Sequence, residues 1–466
     1  GDTSSVVTFT FSEATTDFTA ADITAVGGTV TGLSGSGTSY TATLTATDGF
    51  SGTGSVSVTA GSYTDAAGNT GATGSDTVAI DRLNPTVTIT STALGNSVGA
   101  TSTITFQFSE ATSNFVLTDA TATRGTLSAF TAVDADTYTA TFTRNAGGAA
   151  KVDVAAGTYT DAAGNSGASG TSGTLPAGVA GSPINLALMD PSADTSDLIT
   201  VSVAGMPSDW TLSSGSRQAD GTWLVNTSDP SALTVTTPAT YSGALVLDVN
   251  MTWTNADGSA GSAYVASNVE AYAPGNPIFA VSADDNLTAS SAADLLVFAQ
   301  PIANDTIHNF DAAADKIDLI GFTGVSGFDN LSIADDANGN AVITLANGST
   351  ITVLGVHAAD LGAANFEFNL EPVTVNTGTM TIADGAILPL GGVIENSGTI
   401  VLGSTGSETD LQILVESATL QGGGQVLLSD NGNNVIFGGA ANATLINIDN
   451  TISGAGQIGA GQMTLV

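Results

Sequence analysis

The chain has no cysteine among its 466 residues, only six basic residues and only two histidines. Without thiols there are no disulfides and no thiolate metal sites, so for a surface protein the staple left is a metal ion held by oxygen. The basic residues are Arg82, Arg124, Arg144, Lys151, Arg217 and Lys316, against 43 acids, for a formal charge of −37. So few cations cannot neutralise a phosphate backbone, which excludes nucleic acid as a partner, and an anionic membrane surface repels such a chain. Helical bundles and coiled coils draw on Glu and Lys, but here 35 of the acids are Asp and eight are Glu. No apolar run approaches the roughly 18 residues of a membrane helix, so no membrane insertion is expected. The opening Gly-Asp-Thr-Ser-Ser is neither an initiator Met nor a signal peptide, so the expectation is a fragment or a processed form.

What is present is Gly, Thr, Ser, Ala, Val and Asp, the residues of short strands and tight turns. Hydrophobic residues are 42% of the chain, enough for packed cores. An internal repeat stands out. Phe11-Ser12-Glu13-Ala14-Thr15 recurs as Phe108-Ser109-Glu110-Ala111-Thr112, and Tyr63-Thr64-Asp65-Ala66-Ala67-Gly68-Asn69 recurs from Tyr159 to Asn165. Between them, Tyr40 to Leu44 matches Tyr138 to Phe142. Alternating runs such as Val6 to Phe11 and Ile104 to Phe108 read as half-buried strands, and several per repeat predict a β-sandwich.

These anchors, with the linker Asp81-Arg82-Leu83-Asn84-Pro85 and the strand Thr86 to Thr90, resemble the bacterial immunoglobulin-like repeats of giant secreted adhesins. The resemblance covers residues 1 to about 175. The first copy has no counterpart of the 86–90 strand. After a Gly/Ser/Pro-rich stretch from Gly164 to Pro183 comes a different β module holding Trp210, Trp223 and Trp253. Its order, Val203 to Leu212, then Asp220-Gly221-Thr222-Trp223, then Leu233 to Pro238, is similar to the cadherin-like repeats of the same adhesins. The segment Asp305 to Leu319 resembles the carboxy-terminal module of repeats-in-toxin (RTX) proteins, which leave the cell by type I secretion. Upstream, Asp285 and Asp294 stand nine residues apart, the spacing of the RTX calcium repeat. Its glycine positions hold Ala280, Val281, Ala283, Ala289, Ser290 and Ala292 instead, so a degenerate β-roll is expected. Residues 373–466 read as a parallel β-helix-like solenoid: Gly378 to Ile382 recurs 20 residues on as Gly398 to Leu402, with Asn residues stacking in the turns.

The expected fold class is all-β, with modules at 1–83 and 84–178 (Ig-like), 179–274 (cadherin-like sandwich), 275–371 (degenerate β-roll) and 372–466 (solenoid). Calcium is the expected cofactor. Ca²⁺ takes 6–8 oxygen ligands, and Asp is the short supplier suited to loops. By the adhesin resemblance the ligands are Glu13, Asp65, Asn69 and Asp81 in the first module and Glu110 and Asp161 in the second. The RTX resemblance adds Asp285, Asp294, Asp311, Asp315 and Asp318. For each, the competing reading is an Asp or Asn that makes a turn by bonding its own backbone. No linker Asp marks the second junction, Ser172 to Pro176.

No catalytic constellation emerges. His308 and His357 stand alone, there is no nucleophile elbow, and among the acids of residues 373–466 only Glu408 and Asp410 share a face at strand spacing. The three tryptophans read as core anchors, with sugar stacking as the competing role. The functional expectation is an extracellular bacterial surface protein, structural and adhesive, stiffened by calcium, with protein subunits or surface glycans as partners. The first alternative is a self-assembling filament or layer subunit that forms homo-oligomers by strand exchange at the first module. The second is a polysaccharide-active β-helix using Glu408 and Asp410.

Overall fold

Alternating apolar residues become strands throughout the computed structural model. It describes all residues except 1–2, 48, 95–96, 146–149, 156, 168–169, 192–196, 256, 281–283, 300–301, 303, 323, 346–347, 440–442 and 460–462. Among the described residues there is no α-helix, only single 3₁₀ turns between strands. The chain is all-β. It divides into two compact units, one of Gly1–Val87, Phe108–Phe115 and Ala156–Ala168, the other of Thr88–Gln107, Val116–Ala155 and Ser169–Val466.

In the first unit, strand Ser4–Thr15 runs antiparallel to the later part of strand Gly28–Ala46, with Ser4 opposite Thr45 and Thr10 opposite Ser39. The early part of that long strand doubles back on the later part. A Cβ on Gly28 would meet the Thr45 carbonyl at 2.5 Å, and one on Gly35 the Ser39 carbonyl at 2.4 Å. A second antiparallel sheet holds Ile23–Val26, Ser51–Val58 and Gly74–Asp81. Because side chains alternate along a strand, Phe9, Tyr40, Ala42, Leu44, Val56 and Val58 all face one core. Phe108, Phe115 and Tyr159 form a second aromatic cluster in this unit, ring edges against faces.

The second repeat carries one strand more in the sheet equivalent to that of Ser4–Thr15. Its order is Val87–Ser91, Thr101–Phe108, Thr137–Arg144, Gly125–Ala132. Beyond it, a sandwich closes over Ile199, Val201, Trp210, Val235 and Leu247. Trp210 is buried, as expected of a core anchor, while Trp223 and Trp253 are half-buried. Their indole N–H groups donate to Ser214 O and Asn255 Oδ1. The Asp220-Gly221 turn joins Ser216–Arg217 to Trp223–Thr227 as a hairpin.

Part of the Gly/Ser/Pro-rich stretch from Gly164 to Pro183 forms a strand. Gly173–Val179 is a strand, parallel to both Ala260–Tyr272 and Asp285–Thr288. Its small residues are what lets it close between two neighbours. A Cβ on Gly178 would come within 2.9 Å of Ile184 and 3.1 Å of the Thr288 carbonyl.

From residue 278 the chain coils. Parallel strands Ile278–Ala280, Leu295–Ala299, Lys316–Ile320 and Phe366–Phe368 form one wall. Asp285–Thr288, Asn304–His308 and Thr350–Val353 form the other. The coiling continues in the last stretch, where Thr379 pairs with Thr399, Thr399 with Gln425 and Gln425 with Thr451, all in parallel. The 20-residue step seen in the sequence is the first of these coils. A single apolar core, including Leu287, Phe298, Ile351, Ile382, Leu402 and Val426, runs through both stretches. Stacked coils bury each other's apolar faces, so a change of sequence style at residue 372 does not divide the core. The stacking Asn residues are there too. Asn376 Nδ2 donates to Asn396 Oδ1 at 2.7 Å, and Asn396 Nδ2 to Asn450 Oδ1 at 2.7 Å.

Candidate metal centre

Asp81 is the last residue of strand Gly74–Asp81, Glu110 follows the end of strand Thr101–Phe108, and Asp161 opens the Asp-Ala-Ala-Gly-Asn turn of the second repeat. All three belong to the first unit. One carboxylate oxygen from each lies within 4.8 Å of the others, the one such cluster of acids among the described residues. The turn itself aims Asp161. Its Oδ1 accepts the Asn165 N–H at 2.8 Å and its Oδ2 the Asn165 amide at 2.7 Å. The same Asn165 amide also donates to the Asp81 carbonyl at 3.2 Å, tying the turn to the end of the first repeat. Asp161 is 2% exposed, Glu110 half-buried and Asp81 exposed. Burial raises the Glu110 carboxyl above its usual range, and the charges of Asp81 and Asp161 raise it further. Three oxygen donors at converging positions, with like-charge repulsion among them, fit a hard divalent cation such as Ca²⁺, with water completing the shell.

The other expected ligands are placed differently. Glu13 is exposed near the end of its strand. Asp65 is taken up by its own turn, accepting the Ala67 and Asn69 N–H groups and the Asn69 amide. The Asn69 side-chain and backbone bonds hold the Asp65 carboxyl below its ordinary value. Asp65 and Asn69 therefore have the turn geometry of Asp161 and Asn165 but no second and third acid beside them among the described residues.

In the coiled region the nine-residue spacing of Asp285 and Asp294 puts them at successive corners. Each is matched one coil later: Asp305 Oδ1 accepts the Asp285 N–H at 3.0 Å, and Asp315 Oδ1 accepts the Asp294 N–H at 2.9 Å. Asp294 Oδ2 takes the Ser290 N–H, Asp315 Oδ2 the Asp311 N–H, and Asp311 Oδ1 the Ala313 N–H. Asp305 and Asp315 thus bond the backbone of the neighbouring coil, while Asp294, Asp311 and the second oxygen of Asp315 close their own turns. Asp305 and Glu270 lie in the same buried region and were not anticipated, although the 20-residue interval from Asp285 to Asp305 could have signalled the first. Burial, then the charge of Asp285, pushes Asp305 well above its ordinary value. Asp318 is fully buried and pushed up to about 6 by that burial, while its Oδ1 accepts the Leu370 N–H. Of the glycine-replacing positions, Val281 and Ala283 lie outside the described residues.

The remaining chemistry candidates stay apart. His308 sits in strand Asn304–His308 with its pKa lowered by burial, and exposed His357 is 3.4 Å from Asp335. Asp410 is pushed up to about 7 by burial and then by Glu408, against the opposing charge of Lys151. A cavity lined by Ser91, Phe142, Lys151, Ser172 and Tyr264 measures about 10 Å³, room for one water and not for a sugar.

Residues 1–82 and 81–176 each match the family model of the bacterial Ig-like domain. Among solved structures, the chain is similar to the Yersinia pseudotuberculosis adhesin InvE at 16% identity, over 40% of this chain and 58% of that one, with a TM-score of 0.15. It is also similar to invasin, a bacterial integrin-binding protein, at 15% identity over 57% of this chain and 55% of that one, with a TM-score of 0.19. The chain thus spans just over half the length of each. No curated protein matches it.

Proposed function

We propose that the chain is an extracellular, adhesive surface protein of a bacterium, and that calcium holds its first repeat to its second through Asp81, Glu110 and Asp161. The observation that carries this reading is the convergence of those carboxylates, one from the end of one repeat and two from the next, within 4.8 Å. Two bacterial Ig-like repeats in tandem support a structural role over a catalytic one. Adhesive contacts then fall to other protein subunits or surface glycans.

The charge of −37 gives calcium a second use. At low cytosolic calcium, unpaired carboxylates repel and keep the chain loose enough to thread a type I secretion channel. Outside the cell, millimolar calcium binds the folded state and stabilises it by mass action. Thermal melts in calcium and in chelator test this. The first transition is expected to rise with calcium in the native chain and to be indifferent to calcium in Asp161→Asn. Superimposable native curves in the two conditions would sink the proposal.

A further inference from the structure

The solenoid opens with a coil made of Val373–Asn376, Thr379–Ala383 and the first half of Ile387–Asn396. On one side each of these strands pairs in parallel with the next coil: Val373 with Val393, Thr379 with Thr399 and Ile387 with Asp410. On the other side each meets the sandwich. Gly243 and Ala244 pair in parallel with Thr381 and Ile382, and Thr381 N donates to Ser242 O at 2.9 Å. Asn276 Oδ1 accepts the Val375 N–H and its Nδ2 donates to the Val375 carbonyl, both at 3.0 Å. Asn268 does the same to Ile387, again with both bonds at 3.0 Å. A side-chain amide carries the donor and the acceptor of a peptide unit, so each Asn stands in for one residue of a preceding strand.

Asn268, Glu270 and Tyr272 alternate along strand Ala260–Tyr272 and so share a face. Glu270 Oε1 accepts the Asn268 amide at 2.9 Å, and Oε2 lies 3.1 Å from the Tyr272 hydroxyl, which is 3.2 Å from the Pro389 carbonyl. One buried carboxyl thus fixes the two side chains that hold the backbone at Ile387 and Pro389. Asn268 and Asn276 are buried, and Glu270 and Tyr272 fully so. Gly243 has a φ of 130°, and a Cβ there would lie 1.9 Å from the Thr381 carbonyl oxygen, so glycine is what admits the strand pairing. Ala244 and Tyr272 also belong to the apolar core of the coils.

A single coil has bare backbone edges and an open core, and gains stability only by stacking. The hairpin of Gly243–Thr254 and Ala260–Tyr272 joins strands close in sequence, so its face forms without the coils. Once the first coil is docked, each later coil pairs with the one just before it, Thr399 with Gln425 and Gln425 with Thr451, and closes only a short loop. We propose that this face of the sandwich is the template on which the solenoid winds: Gly243, Asn268 and Asn276 hold the first coil in place of a preceding one, and the later coils add in order. Glu270 is the positioning residue of the template.

Refolding of the full chain from urea, read by pulsed hydrogen exchange, tests this. The amides of Val375, Thr381 and Ile387 are expected to gain protection first. Thr399, Gln425 and Thr451 should follow in that order, since they donate to Gly378, Gly398 and Gly424 on successive coils. Asn268→Ala combined with Asn276→Ala should slow protection of every coil by about tenfold or more, while the amides between Gly243–Thr254 and Ala260–Tyr272 are protected at the native rate. Asn450→Ala, a buried position in the coil of Thr451, should instead speed unfolding and leave the rate at Thr381 unchanged. Protection of Thr451 together with or before Thr381 would overturn the proposal. So would a double variant whose coils form at the native rate and only unfold faster, because the contact would then be a clamp. If the double variant does not fold, the order of protection in the native chain decides alone.

Discussion

The guanidinium of Arg124, in the second repeat, lies 3.0 Å from the carboxylate of Asp384, on the solenoid 260 residues away, and also donates to the Asp384 carbonyl at 3.1 Å. Both residues belong to the second unit. Gly385 makes the approach possible, since a Cβ there would sit 2.7 Å from Arg124 Nη2. Arg124 is one of six basic residues in the chain and is 8% exposed. Another, Arg144, is 1% exposed and lies 3.9 Å from Asp248, whose carboxylate also accepts the Tyr264 hydroxyl at 2.6 Å. In this unit scarce cations are placed where segments meet, the task proposed for calcium in the other unit.

Removing the Arg124 side chain should therefore cost more than a surface ion pair would. Arg124→Ala is expected to destabilise the chain by about 2 kcal/mol, because Asp384 keeps a partly buried charge without its partner. Arg124→Lys should recover only part of this, since both bonds come from the guanidinium Nη2, a position that an ammonium on the lysine stem does not reproduce. Urea unfolding of the three proteins checks the order. Burial raises the Asp384 carboxyl, but bonds from Thr405 and Ser407 and the charge of Arg124 outweigh it and lower it below 3.8. The contribution is therefore present above the unfolded value and is lost as pH falls through the folded one.

Glu110 offers a test in which the sign of the effect reverses. Without metal, its carboxylate is held above 4.5 by burial and by Asp81 and Asp161, so Glu110→Gln relieves repulsion and should raise the melting temperature slightly. With calcium, the same substitution removes a ligand and should lower it. Calorimetry of both proteins in chelator and in calcium reads the crossing. A change of the same sign in both conditions would remove Glu110 from the proposed site.

Several carboxylates make the metal-free protein more stable in mild acid than at neutral pH. Burial is the first cause in each case. Asp410 is pushed up to about 7, Asp284 and Asp318 to about 6, and Glu270 and Asp305 well above their ordinary values. A raised folded value means that the folded state keeps protons the unfolded chain releases. Stability thus falls as pH rises from the unfolded values, near 4, through the folded ones. On the acid side, Asp65 and Asp336 are lowered by the side-chain amides of Asn69 and Asn340, and their contributions are lost as pH drops below 3.8. In chelator, the urea midpoint should peak between about pH 4 and pH 6 and decline toward pH 8. A midpoint that climbs steadily from pH 5 to pH 8 would contradict this.

Asn396 is the centre of the solenoid's amide ladder and is 0% exposed. Its amide N–H groups reach both Gln425 O and Asn450 Oδ1, and its Oδ1 accepts from Asn376. The coil between has Gly422 in register with Asn396, and Gly424 close by, where a Cβ would come within 2.8 Å of Asn396 Nδ2. Asn396→Ala should cost about 2 kcal/mol or more, because it leaves buried polar partners unsatisfied. Asn433→Ala, at an exposed position of the same solenoid, should cost less than half as much. Chemical denaturation followed by far-UV circular dichroism separates them.

Strand alternation, the duplicated Ig-like repeat and the 20-residue coil step were legible in the sequence, because each depends on residues a short, regular distance apart. The readings that needed strands to meet over long range were not. Asp65 and Asp161 sit in the same motif with the same local bonds, and nothing in either motif says that, among the described residues, Asp161 and not Asp65 is joined by two further acids. That difference arises because strand Gly74–Asp81 delivers Asp81 beside Glu110 and the second turn. Likewise, Gly173–Val179 has linker composition, and only its burial between two parallel neighbours makes it a strand. Periodicity along the chain determines which residues face a core. Which strand ends, corners and charges come together is decided by the packing of one sheet on another, where burial and like-charge repulsion act between residues far apart in sequence.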